Sequence, residues 1–283
     1  MFSIGGGYPG LSVADYIPFL KYMSSNGYIV CAANANPLTT PDTGVTAETE
    51  AEHLIVNYAS SPTFPLANAV NLGAIGALGH SRGGESVIEQ AGTDGRIKVI
   101  LAMGAANLTK AINNSSYVNV PAMLLFGSQD ASSPFNDNVN YYNNFNASRE
   151  YIQINGAGHD LGIWNATAYG FTYNLTTTPT TEKYALAWFN YYLYSNSSAL
   201  NVFNAEGLEN DYSLGIISRY AISGIPESLP HALIAESAGA LSQIVQVLSL
   251  TLLSGALFGA SLIYNPVQLK LNKGSRRCVL KRN

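Results

Sequence analysis

The chain has 283 residues, of which 47% are hydrophobic and only 11% charged, with a formal net charge of −4. That length holds one large domain or two small ones, and the apolar content supports a sizeable core. All eighteen acidic side chains and eight of the basic ones fall within residues 1–264, and this acidic body argues against nucleic acid as the main partner. The two cysteines, Cys31 and Cys278, form no disulfide framework, and no His/Cys cluster has metal-ligand spacing.

In chain order, "MFSIGGGYPG" is a short apolar piece followed by a glycine loop. "ADYIPFLKYMSSNG" has apolar residues at helical spacing and a glycine stop. "YIVCAANA" is expected as a buried strand carrying Cys31 as a buried thiol, and "AETEAEHLIVNYASS" as a helix. "LGAIGALG" is a strand that runs directly into the helix "HSRGGESVIEQAG", ended by Gly92. "IKVILAMG", "VPAMLLFGSQD" and "EYIQINGAGH" are three further strands, and "TEKYALAWFNYYLYS" closes the body as an amphipathic helix. Strands alternating with helices of this length predict an α/β fold, a mostly parallel sheet flanked by helices.

Residues 196–236 are polar and irregular and are expected as a linker after a domain spanning 1–195. From Ser237 to Leu269 there is no charge at all, and the apolar stretch Ala240–Tyr264 exceeds the roughly 20 residues that cross a bilayer core. A single transmembrane helix over 237–264 is therefore expected. It is followed by a basic cytoplasmic tail at 265–283, carrying Lys270, Lys273, Arg276, Arg277, Lys281 and Arg282. This places the protein in the cell membrane with its body outside the cell. Gly255 and Gly259, spaced as G-x-x-x-G, offer a face for homodimerisation. Sequons beginning at Asn107, Asn113, Asn114, Asn146, Asn165, Asn174 and Asn196 agree with an exterior location. No export signal is visible at Met1.

The chemistry centres on Gly79-His80-Ser81-Arg82-Gly83, a G-x-S-x-G pattern between a strand and a helix. That setting is the one a nucleophile elbow requires, with small neighbours to permit a sharp turn. A serine hydroxyl needs a base to take its proton. Of the four histidines, His53 precedes the elbow, His231 adjoins the apolar segment, and His80 neighbours the nucleophile and is expected to line the pocket. His159 ends a small-residue loop after a strand and alone fits the chain order nucleophile, acid, histidine. Asp130, at the end of "LLFGSQD", is the favoured acid, with Asp137 and Asp160 as rivals. The oxyanion needs two backbone donors. Arg82 is one, and Tyr8 in the glycine loop is the other, with Gly7 as its rival. The aromatic loop at 161–180, including Trp164, is expected to shape the pocket.

The order "GGGYPG", "SNGYIV", "GHSRGG", "VPAMLLFGSQD" and "YIQINGAGH" resembles the α/β-hydrolases of the dienelactone hydrolase/cutinase-like group, including the bacterial polyester (PET) hydrolases, over roughly residues 1–195. The resemblance implies a Ser81–His159–Asp130 triad, with Tyr8 also forming an aromatic wall of the substrate cleft. It also implies a Trp where this chain has "MGAANLTKAI", commonly a Met where it has Arg82, and a C-terminal disulfide that it lacks. These departures bear on polyester cleavage more than on ester cleavage. The family has strands before the first one seen here, so the sequence is expected to be incomplete at its N-terminus.

The leading expectation is a serine hydrolase that cleaves small-molecule or polymeric carboxylic esters through an acyl-enzyme, with no metal or organic cofactor. An amidase or peptidase using the same triad, and a non-catalytic surface binding domain of this fold, are the alternatives.

Overall fold

A computed structural model of the chain describes residues 1–5, 12–33, 69–106, 109–163 and 174–225, isolated positions between 54 and 66, and two short strands near the C-terminus. Its strands are β1 (Phe2–Ser3), β2 (Cys31–Ala33), β3 (Ile75–His80), β4 (Ile97–Met103), β5 (Ala122–Gly127), β6 (Arg149–Ile154), β7 (Ile217–Ser223), β8 (Leu250–Thr251) and β9 (Ala260–Leu262). The helices are α1 (Ile17–Ser25), α2 (Arg82–Thr93), α3 (Thr109–Ser115), α4 (Phe135–Asn144), α5 (Thr178–Tyr194) and α6 (Ala205–Ser213). The sheet order is β7-β6-β5-β4-β3-β1-β2-β9-β8. Strands β1 to β6 run parallel, and β7 and β9 pair antiparallel to β6 and β2.

The apolar runs in β4 and β5 are explained by burial on both faces, as a parallel sheet covered by helices requires. Side chains alternate between the two cores. Val99, Leu101, Met103, Met123 and Leu125 join the side formed by α1 and α5. Ile100, Ala102, Leu124 and Phe126 join the side formed by α2 and α4. Trp188 of α5 is fully buried on the first side, and its indole N–H donates to the Ile100 carbonyl at 2.9 Å. Helix α2 runs through Gly92, the expected stop, and ends after Thr93. The helix expected over residues 47–61 lies mostly outside the described residues, although Leu54 and Asn57 are helical.

The expected linker is not a linker over its described part, 196–225. A 3₁₀ turn at Ser197–Val202 leads into α6, and β7 pairs with β6 from Arg149↔Ser223 to Ile154↔Ile217. Buried Asp211 of α6 pairs with Lys183 and accepts the Tyr184 hydroxyl at 2.5 Å, which ties this segment to α5. The domain therefore continues past residue 195. As an antiparallel edge strand, β7 needs only a partly apolar pattern, and only Ile217 of it is buried.

The expected membrane helix over 237–264 lies outside the described residues except at β8 and β9. There the backbone is extended rather than helical, and Cys31–Ala33 pairs with Leu262–Ala260. A continuous apolar run reads as helix or strand from periodicity alone, and extension here covers an otherwise open edge of β2. Among the described residues, no helix is long and apolar enough to cross a membrane. The basic tail and the Gly255/Gly259 face lie outside the described residues.

Candidate active site

Three strands deliver the candidate residues to one edge of the sheet. Ser81 follows β3 directly, Asp130 lies just beyond β5, and His159 lies just beyond β6. The carboxyl edge of parallel strands is where open α/β sheets place their sites.

Ser81 sits at φ 56° and ψ −120° between β3 and α2. A non-glycine residue held in a sparsely populated region costs on the order of 1–3 kcal/mol and needs its surroundings to enforce it. Its N–H donates to the Met103 carbonyl at 2.8 Å, and its carbonyl accepts from Glu85 and Ala106. The flanking glycines explain how the chain packs so closely. A Cβ on Gly79 would lie 2.2 Å from the Gly83 carbonyl oxygen, and one on Gly83 would lie 2.2 Å from that of Ser3. The turn is thus wedged between β1 and its own helix, with Ser81 at its apex.

His159 Nε2 lies 3.0 Å from Ser81 Oγ, and His159 Nδ1 lies 2.9 Å from Asp130 Oδ2. The Asp130 side chain is fully buried, and its other oxygen accepts the N–H groups of Ser132 and Ser133 at 2.8 and 2.9 Å. Burial alone would raise its pKa, but the His159 hydrogen bond and charge and these two amides outweigh burial and lower it. Asp130 is thus held as a carboxylate, the form that orients an imidazole and stabilises its cation. Of the rivals, Asp137 lies in the first turn of α4, and Asp160 carries a pKa raised by burial. Neither takes the place of Asp130 at His159 Nδ1.

The acid loop is pinned from below. Ser133 Oγ donates to the Ala105 carbonyl at 2.5 Å, and Asn138 Nδ2 donates to Ser133 Oγ at 3.0 Å. Gly104, at φ 50°, passes so close that a Cβ there would lie 3.2 Å from Asp130 Oδ2 and 3.4 Å from His159 Nδ1.

Arg82 occupies the first position of α2, where the helix itself supplies no acceptor for the N–H. This is the geometry expected of one oxyanion donor. Tyr8, Gly7 and Trp164 lie outside the described residues. His80, expected to line the pocket, is instead only 1% exposed. Its ring packs into the molecule, bonded through Nδ1 to Tyr16 at 2.8 Å and through Nε2 to the His159 carbonyl at 2.7 Å. Tyr16, the Ser132 and Ser133 amides and Gly104 had no signal in the sequence that tied them to the site. A cavity of about 230 Å³ opens at the opposite end of β3, lined by Cys31, Ile75 and Phe189 among others. It contains none of the three candidate groups. Among the described residues no cluster of His, Cys, Asp and Glu is placed to hold a metal ion.

The PET hydrolase-like family (PETase) matches residues 10–217, a stretch that includes all three candidate groups together with α6 and the start of β7. The chain belongs to this family. Its members lie within the α/β-hydrolase superfamily of dienelactone hydrolase/cutinase-like esterases, and the fold and family together make the chain an ester hydrolase of α/β-hydrolase type. No curated relative matches the chain.

Proposed function

We propose that this PETase-family chain is a serine carboxylic-ester hydrolase working through an acyl-enzyme. The observation that carries the reading is the continuous Ser81–His159–Asp130 relay, with the serine on a positive-φ turn. Ser81 Oγ attacks the ester carbonyl carbon while His159 Nε2 takes its proton. Asp130 holds Nδ1–H and stabilises the imidazolium. The carbonyl oxygen gains the negative charge and is held by the Arg82 N–H and a second amide from the glycine loop, for which Tyr8 is our assignment. Collapse of this intermediate breaks the bond to the alcohol oxygen, which receives the proton from His159. Water repeats the sequence on the acyl-enzyme, releasing the acid and restoring Ser81.

A fluorophosphonate probe combined with p-nitrophenyl esters of graded chain length tests this reading. The intact protein is expected to label, and Ser81→Ala to abolish labelling and lower kcat on the order of 10⁶-fold. Labelling that survives in Ser81→Ala, or a wild-type chain that neither labels nor hydrolyses any ester, sinks it. Action at the outer cell surface is the location we favour, on the strength of the seven sequons. Protease treatment of intact cells that leaves the domain uncut overturns that location.

A further inference from the structure

We propose that His80 is a positioning residue whose neutral imidazole ties the loop carrying His159 to the root of the glycine loop after β1, and so sets the register of base and nucleophile. The kinetic part of this inference rests on the ester-hydrolase reading above.

The argument is a count of protons. The His159 carbonyl can only accept, so His80 Nε2, 2.7 Å away, carries the hydrogen. In a neutral ring His80 Nδ1 is then an acceptor. Tyr16 Oη lies 2.8 Å from it and has one proton to give. The Tyr16 oxygen in turn accepts the Gly5 N–H at 3.0 Å. Gly5 N–H, Tyr16 O–H and His80 Nε2–H thus point the same way along one chain that ends on the backbone of His159. A protonated His80 would put a second hydrogen on Nδ1 and set it against the Tyr16 hydroxyl, breaking the direction of the chain.

The surroundings enforce the neutral ring. Burial first, and then the neighbouring His159, lower the His80 pKa to about 3. The titratable groups facing it are Tyr16, His159 and, beyond His159, Asp130. Burial holds Tyr16 far above the usual phenol range, so it too remains a proton donor. The His80 and His159 ring centroids are 4.9 Å apart, so a charged His80 would oppose the imidazolium that His159 must form.

Position gives the chain its leverage. His80 is joined by a peptide bond to Ser81, so its bond to the His159 carbonyl links the backbone at the nucleophile to the backbone of the base. The far end of the His159 loop is anchored separately, with Thr181 Oγ1 donating to the Leu161 carbonyl at 2.8 Å and Thr178 Oγ1 to that of Gly162 at 2.7 Å. Gly5 leaves room for the junction, since a Cβ there would lie 2.8 Å from Tyr16 Oη and 3.2 Å from His80 Nδ1.

Two measurements test this, and they fail separately. The first needs no activity. In Ser81→Ala protein, long-range ¹H–¹⁵N spectra between pH 5 and 9 should show one histidine fixed as the neutral Nε2–H form, missing in a Ser81→Ala/His80→Gln double variant. A His80 that titrates in that range, or that carries its proton on Nδ1, overturns the proposal whatever becomes of the esterase reading. The second is kinetic. Tyr16→Phe and His80→Phe keep ring volume and are expected to lower kcat, by up to about 10²-fold, with KM within about twofold. His80→Gln can still offer an amide N–H to the His159 carbonyl and should recover much of the loss. Losses confined to KM, or wild-type kcat in both Tyr16→Phe and His80→Phe, overturn the proposal. If His80→Phe fails to fold, Tyr16→Phe and His80→Gln decide it.

Discussion

His80 and Glu150 are both sealed from solvent, at 1% and 0% exposure, yet they meet burial in opposite ways. His80 stands where three loops converge and takes a partner on each ring nitrogen. Glu150 lies in β6 on the face shared with Ile152 and Ile154, which belong to the α1/α5 core, and neither of its carboxyl oxygens has a hydrogen-bond partner among the described residues. An unsatisfied buried polar group costs about 1–3 kcal/mol even when uncharged. His80 is thus fully paired at the carboxyl edge of the sheet, whereas Glu150, near the start of β6, is left without a hydrogen-bond partner among the described residues.

The largest effect expected from breaking this contrast lies at Asp130. Its two oxygens accept from His159, Ser132 and Ser133, so Asp130→Asn keeps the shape while removing the charge and offering an N–H where an acceptor is needed. The expected loss in kcat is on the order of 10⁴-fold, about 5.5 kcal/mol of transition-state stabilisation. Thermal stability should also become less sensitive to acid. A lowered folded-state pKa contributes stability above the unfolded carboxylate pKa, and that stability is lost as pH falls through the folded value. Steady-state kinetics at pH 8 and melting curves from pH 3 to 7 check both statements. A kcat within tenfold of wild type would remove Asp130 from the relay.

Glu150→Gln tests the other side of the comparison and should change stability alone. Burial holds the Glu150 pKa well above 4.5, the value the unfolded chain approaches. The sign is therefore opposite to that of Asp130. The folded state keeps the proton that the unfolded state releases, so stability falls by up to about 1.4 kcal/mol for each pH unit above the unfolded pKa until the folded value is reached. The glutamine cannot ionise, so its advantage over wild type should be small at pH 4 and grow towards pH 8, with esterase activity unchanged. Denaturant melts at the two pH values measure this. A pH-independent difference would mean that the folded carboxyl ionises normally.

The same contrast shows which parts of the molecule were legible in the sequence. Ser81, Asp130 and His159 each stand just past an apolar run and beside small residues, so strand ends and chain order were enough to nominate them. β7 and α6 were read as a linker because they carry little apolar signal. Only Ile217 of the strand and Leu208 and Asp211 of the helix are buried. Their places come from pairing with β6 and from Lys183, which lie far away in sequence. His80 was misplaced for a related reason. Adjacency to a nucleophile says nothing about where a ring points, and successive residues leaving a strand face opposite ways. The Tyr16–His80 bond spans 64 residues with no pattern to announce it.

The smallest effect concerns how Tyr16 reaches His80. The 3₁₀ turn Val13–Tyr16 opens on Ser12, whose Oγ accepts the Ala14 N–H at 3.2 Å while Asp15 Oδ2 accepts the Ser12 N–H at 2.8 Å. This reciprocal cap fixes the turn that delivers the Tyr16 hydroxyl into the buried site. Ser12→Ala removes both bonds of the hydroxyl, the one it accepts from Ala14 N–H and the one it donates to Asp15 Oδ2 at 3.3 Å, and should cost about 1 kcal/mol of stability, read from the denaturant midpoint at unchanged m-value. The Asp15 half of the cap survives, and Tyr16 remains packed against Phe2 with ring centroids 4.9 Å apart. Activity should therefore stay within about twofold of wild type, and the His80 imidazole signal should not move. If activity instead falls as far as in Tyr16→Phe, the cap and not the Phe2 packing holds the tyrosine, and the ordered polar region extends outward to Ser12.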